Sequence, residues 1–561
     1  MRLKSMSLPY AAAAAAFVVL ALAPAADAQF WAKQPGQNNQ GPPADDQTDP
    51  VPPTSADDQV PPTQTGGPRI VIREPNFSAP TPGSSLGGSG ETGTDSIGIL
   101  PARDTGFDRK TWRYTSFGTV MGLMTAMPDR IDSAAQHVLA KNLLVSIADA
   151  PQGDDGSGRL LTLRVRKLFA MGNIMDAAAL ARAAPGLPND PELARTEVEA
   201  ELLSGQIESA CIDLRSFAGL LTDPASQNAL ELCRQHAGET STDAAPMETA
   251  SLGAAARILG LPLSIDIRTA PPAHLVAVAL DPASSPEAKL EGAFAAGRAS
   301  ALDGEFLAKV FASSPSGGIA TGAAPADGAG AAALYSAIVQ EGAVEQRLGL
   351  AERGLLSADG IADKVGVAML IPLRKFEPVP ELGPIAARMA ILFYTVGDLD
   401  AAAPWAELAD SSGNGALLWP YRVLIKQAEP GAIGNWDQAA GLDPTYRARI
   451  VTILSAFGAA RPPKGSARVA GDDRPEAPFA DMIAIDKSAK DLHVGETVLR
   501  ALAILGRGGP ANLHPLALRR VLADLDQVNM HNEAHALAFE AITAALYAGR
   551  RNGGGQLGAG P

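Results

Sequence analysis

Two units of equal length stand end to end in Arg159–Gly238, and no other stretch constrains the fold as tightly. Gly172 and Gly205 lie 33 residues apart, and so do the pairs Asp190-Pro191 and Asp223-Pro224. Each glycine is followed by isoleucine two residues on (Ile174, Ile207) and by alanine five residues on (Ala177, Ala210). Before the first glycine, Leu161, Val165, Leu168 and Phe169 recur at helical spacing; before the second, Ala194, Val198 and Leu202 do. Such spacing puts one apolar stripe on a helix. Glycine ends a helix at low cost because it accepts left-handed backbone. Asp before Pro starts one: Asp caps the free N–H groups and Pro fits the first helical position. Each unit reads as helix, tight turn, helix and capped restart.

A 33-residue period of this kind points to a helical array. The glycine, the apolar residue at +2, the alanine at +5 and the terminal Asp-Pro resemble the tetratricopeptide repeat over Arg159–Gln235. Ala387–Leu408 echoes the pattern with Gly397, Leu399 and Ala402, after the stripe Ile385, Met389, Leu392 and Phe393. Pro404 falls where the second helix of that unit would run, and an interior proline is expected to interrupt it. The resemblance implies an all-α chain, an α-solenoid of TPR-like hairpins whose exposed surface binds a peptide or protein. Hydrophobic residues make up 46% of the chain but aromatics only 5%, which suits alanine-rich helices packed closely.

Residues 1–28 read as a secretory signal peptide. Arg2 and Lys4 open it, Ala11–Ala23 is too short to span a bilayer, and Ala26-Asp27-Ala28 is an A-x-A cleavage site between Ala28 and Gln29. The predicted location is the bacterial periplasm or outside the cell, with no transmembrane span after the signal is removed. Residues 29–108 form a disordered Pro/Gly-rich linker, too poor in apolar residues to offset ordering entropy. Within it, Gly88–Gly93 spells GxGxxG, but neither the preceding strand nor the following helix of a dinucleotide site is present. The helical-repeat domain is expected over 109–460, with Trp112, Tyr114, Phe117 and Met121 covering its open end. A linker at 461–478, a helical segment at 479–549 and a flexible tail at 550–561 complete the chain. Further helices are expected at Asp132–Ala148, Met247–Leu259, Pro286–Ala301, Val344–Leu356, Ile361–Leu373, Leu516–Val528 and Asn532–Tyr547. Asp281-Pro282 and Asp443-Pro444 repeat the helix-start signal, and Ser313–Gly330 reads as a loop.

The signal, the Pro-rich linker, the opening Leu100, Pro101, Trp112, Thr115 and Ser116, and the paired cysteines are also similar to a group of secreted, alanine-rich helical proteins of alphaproteobacteria. That resemblance implies an address and no chemistry.

Net charge is −15, which argues against a nucleic-acid backbone as partner. Cys211 and Cys233 fall in adjacent expected helices, and export permits a disulfide between them; two buried free thiols are the alternative. His531 and His535 are the best metal candidate, being i and i+4 on one helix face. Glu533 stands at +2, away from both rings, so the zinc-protease spacing is not met. Acidic pairs at Asp154-Asp155 and Asp472-Asp473 read as solvated loop residues. With no nucleophile elbow, phosphate loop or CxxC pair in sight, neither catalytic residue nor cofactor is expected. The reading that follows is a non-catalytic interaction scaffold of the cell envelope, docking an envelope protein or peptide. The alternative is a peptidoglycan-associated enzyme or accessory, resembling the superhelical arm of lytic transglycosylases.

Overall fold

Where a capping residue precedes an apolar stripe in this chain, a helix forms. The computed structural model describes residues 93–184, 190–239, 257–314, 324–461 and 472–553. Among them regular structure is all helical; the only β pairing is two isolated bridges, Leu100 with Ser146 and Ser116 with Gln152. The signal peptide with its Ala28/Gln29 boundary, the linker to residue 92, most of Met247–Leu259, half of the Ser313–Gly330 loop, residues 462–471 and the tail from 554 lie outside the described residues.

The chain enters through α1 (Ala102–Thr105), α2 (Phe117–Ala126) and α3 (Ala134–Val145). Composition assigns 93–108 to the linker, yet this strip packs onto the fold. Asp95 is buried and accepts from the Leu161 N–H at 2.7 Å. The buried Arg164 guanidinium donates to the carbonyls of Ile97, Leu144 and Ser146. That cation ties the Ile97 carbonyl to the end of α3, while Phe107 is buried in the core and Ile97, Ile99 and Leu100 pack against it. Trp112 and Phe117 are buried as expected, while Tyr114 is exposed. Trp112 packs so tightly on Gly495 that a Cβ there would lie 2.4 Å from its ring.

The repeated units form α4 (Arg159–Met171), α5 (Ile174–Arg182), α6 (Pro191–Ser204), α7 (Ile207–Ser216) and α8 (Pro224–His236). Gly172 and Gly205 take positive φ, 124° and 83°. The Asp190 and Asp223 carboxylates accept from the N–H groups of Glu192 and Ser226, caps worth about 1 kcal/mol each. Each of these helices packs on the next, and α4 also touches α6.

Beyond α8 the neighbours change. The chain continues through α9 (Pro272–Leu280), α10 (Pro286–Arg298), α11 (Gly304–Ser313), α12 (Gly328–Gln340), α13 (Val344–Leu355) and α14 (Lys364–Leu370). Then come α15 (Gly383–Thr395), α16 (Leu399–Ser411), α17 (Trp419–Leu424), α18 (Ile433–Ala440) and α19 (Pro444–Leu454). The last four are α20 (Phe479–Lys490), α21 (Val494–Leu505), α22 (Pro515–Gln527) and α23 (His531–Gly553). Asp443 caps α19 as expected. Asp281-Pro282 does not start a helix. Asp281 instead ends α9, buried against Arg257 and accepting from the Ser284 hydroxyl and the Leu263 N–H; Ser285 caps α10. Pro404 does not interrupt α16. Both Pro404 and Asp400, whose carbonyl loses its i+4 donor, are exposed, so water replaces the missing bond.

Helix α23 packs against α3, α15, α17, α19 and α22, and α2 packs against α21. Residues 479–549, set apart by composition, therefore share one apolar core that runs from Phe107 to Leu546. A smaller separate core, centred on Val198, Leu202, Leu214, Leu230 and Cys233, lies among α6, α7 and α8. Helix α6 serves both: Leu193, Ala200 and Leu203 face the main core, and Ala194, Val198 and Leu202 the small one. No helix among the described residues is long and apolar enough to cross a membrane.

Candidate binding pocket

A pocket of about 250 Å3 opens where α1, α3, α11, α14, α15 and α23 meet. Helix ends converge here, and each is fixed by a local device. Gly106 ends α1 at φ 79°, and its N–H donates to the Ala102 carbonyl at 2.8 Å. A Cβ at Gly106 would come within 3.3 Å of Glu533 Oε1, so glycine lets the α1 turn approach α23. Asp303 caps α11 through the Phe306 N–H at 2.8 Å. Gly304 admits α14 closely, since a Cβ there would meet Val367 at 2.7 Å. Asp363 caps α14 and holds Arg298 at 2.6 Å.

Glu540 belongs to α23 yet completes the start of α3. Its Oε2 meets the Ser133 hydroxyl at 2.5 Å and its Oε1 accepts from the Ala135 N–H at 2.8 Å. Burial pushes its carboxyl up to about 8, against those two bonds and the charge of Lys364. Glu533 lines the same pocket, and burial raises it too. Behind the pocket, the Thr395 hydroxyl pairs with that of Thr543 at 2.7 Å, and Tyr394, Tyr421 and Phe539 cluster with ring centroids 5.4–5.9 Å apart.

The floor is apolar, formed by Val138, Leu139, Ala362, Val367 and Ala536. The rim carries both signs. Arg103 is 85% exposed; Arg374 bridges Glu305 at 3.3 Å and Asp398 at 2.9 Å. Asn142 is among the residues that line the pocket, and its Oδ1 is buried with no hydrogen-bond partner among the described residues. An unmet buried acceptor costs about 1–3 kcal/mol, which a donor in the pocket would recover once the Asn142 amide turns toward it. The arrangement suits holding a small group with an N–H or O–H.

Of the residues singled out from sequence, Cys211 and Cys233 are brought together in a disulfide linking α7 to α8, with Cα atoms 5.4 Å apart. His531 and His535 are not joined by a third ligand among the described residues. His531 is exposed and bonds Asp526 Oδ1 at 2.5 Å. The His535 ring lies 5.1 Å from that of Phe457, tilted by 55°, and burial lowers its pKa to about 4. Asp472 is not a solvated loop residue: it accepts from Arg474, and Arg449 is 3.9 Å away. Neither Glu540 nor Asn142 is among the residues expected from sequence. The signal for Glu540 is an acidic residue inside the apolar run Ala538–Ala541; nothing in the sequence marks Asn142.

The chain matches no protein-family model, no curated protein and no solved structure.

Proposed function

We propose that this chain is an exported, non-catalytic binding protein of the bacterial cell envelope. It docks a protein or peptide on its helical surface and takes one donor-bearing group of that partner into the pocket. The supporting observation is the buried, unpaired Asn142 Oδ1 in the wall of a pocket also lined by Val138, Leu139 and Val367, because a donor-bearing group beside apolar surface would suit it. Most of the charged groups nearby have structural work. Glu540, Asp303 and Asp363 serve helix starts, and Arg374 is held by two carboxylates. The signal-like first 28 residues and the disulfide favour an oxidising compartment.

Photo-crosslinking side chains placed at Arg103 and Glu305, on the rim, test this in native envelopes. Both sites should give one shared adduct, absent from a probe at the distant exposed Ile212. Asn142→Leu should abolish that adduct while leaving the α-helical circular dichroism unchanged. Adducts of equal yield from all three sites would remove the reading.

A second reading, a peptidoglycan-cleaving enzyme or accessory, draws on Glu533 and Glu540 in one pocket. A carboxyl kept protonated by burial is what a glycosidic general acid needs. Clearing of purified peptidoglycan that is lost in Glu533→Gln would favour it over the first.

A further inference from the structure

The α6–α7 hairpin carries a second set of chemistry-bearing side chains, remote in sequence from the pocket residues. Glu197 and Glu201 stand i, i+4 on α6 and share a face; Asp213 meets them from α7. One carboxylate oxygen from each lies within 4.8 Å of the others. Two oxygens on opposite sides of a calcium ion, each about 2.4 Å from it, are about 4.8 Å apart. Three oxygens this close can meet one ion without backbone motion.

Closeness alone is common among carboxylates, but two further observations point to a ligand. Glu197 is only 4% exposed and has no hydrogen-bond partner among the described residues. Oε2 of Glu201 is buried and accepts from no donor among the described residues, and burial together with the Asp213 carboxyl beside it raises the Glu201 pKa. The other Glu201 oxygen accepts from the Ser209 hydroxyl at 2.9 Å. The nearest cation, Arg182, sits 3.5 Å from Glu201 with its side chain 41% exposed. Three carboxylates thus face a single, partly solvated guanidinium. We propose that Glu197, Glu201 and Asp213 form a calcium-binding site that ties α6 to α7. All-oxygen donors select a hard cation, and Ser209 and water can fill the remaining positions. Magnesium needs shorter contacts and near-octahedral geometry, so it binds less tightly here.

Calorimetric titration and thermal melting of the full chain test this, with calcium chloride and magnesium chloride at matched ionic strength. The expected result is saturable calcium binding at one site per chain and a rise in melting temperature that magnesium matches only weakly. Glu201→Gln and Asp213→Asn should each weaken calcium binding tenfold or more. Both should melt no lower than the parent without calcium, which shows that they fold. Absence of saturable calcium binding in the parent, parent-like binding in both variants, or an equal response to magnesium would each overturn the proposal.

Discussion

The small core of α6–α8 and the closure around α23 are both helix on helix, yet they are held in opposite ways. The first is built from neighbours in sequence: Asp-Pro caps, glycine stops and a disulfide across a separation of 22 residues. The second joins residues hundreds of positions apart. Glu540 reaches Ser133 across 407 residues, and Thr543 meets Thr395 and Tyr421. A core as small as that of α6–α8 gains from a covalent staple. The closure needs none, because α23 buries nearly every inward side chain from Ala534 to Leu546. The contrast teaches that local order is written in caps, while long-range order depends on volume and on a few buried polar bonds.

The sharpest way to break this comparison is Phe539→Ala, at the centre of the closure. It should cost about 3–5 kcal/mol and lower the stability of the whole described fold; denaturant unfolding followed by α-helical circular dichroism measures it. If only part of the signal shifted, α23 would not be the element that both ends of the chain share.

The pH dependence comes next. Glu540 is held near 8 by burial, above the ordinary 4.5. Its neutral form therefore stabilises the fold fully below about pH 4.5, and that contribution is lost as pH rises through about 8. The slope is at most roughly 1.4 kcal/mol per pH unit. Stability should fall between pH 6 and 8.5, and Glu540→Gln should flatten that decline and exceed the parent at pH 8.5. Parallel profiles for the two proteins would show that Glu540 titrates as an ordinary surface acid.

Removing the disulfide with Cys211→Ala and Cys233→Ala together should cost about 3 kcal/mol in the chain-entropy view. The loss should stay local. Hydrogen exchange is expected to quicken in α7 and α8 and to stay slow in α23. Uniform quickening would merge the two regions into one cooperative unit. The smallest effect belongs to Asp223→Ala, which removes the α8 cap for about 1 kcal/mol and should appear in the same exchange experiment at the start of α8.

Much of the helical order is legible in the order of the residues alone. Apolar stripes, glycine stops and Asp-Pro starts mark where α4 and α6 end and where α6 and α8 begin, because each signal acts within one turn of its own helix. The departures have the same origin. Asp281-Pro282 carries the start signal, but a buried arginine from elsewhere claims its carboxylate. Pro404 carries the stop signal, but it faces water, which makes good the lost bond. Residues 93–108 follow a Pro/Gly-rich stretch and read with it, but Ile97, Ile99, Leu100 and Phe107 pack on the core and Arg164 binds the Ile97 carbonyl.

The candidate sites are less legible than the helices. Cys211 and Cys233 can be paired because the repeat predicts which helices adjoin. Asn142 cannot be marked, since an unpaired acceptor is a property of its surroundings and not of its type. Glu197 and Glu201 have a readable i, i+4 spacing, but Asp213 joins them only once α7 folds back on α6.

The sequence by itself determined that this chain is helical, where several of its helices begin or end, and that the two cysteines lie on neighbouring helices. These are decided within a few residues by backbone conformation and unpaired N–H groups. Only the tertiary structure decided that the C-terminal helices share a core with the first ones, that Glu540 completes a helix four hundred residues earlier, and that a pocket with one unmet acceptor lies between them. Those outcomes depend on which distant surfaces exclude water together, and no local pattern encodes that choice.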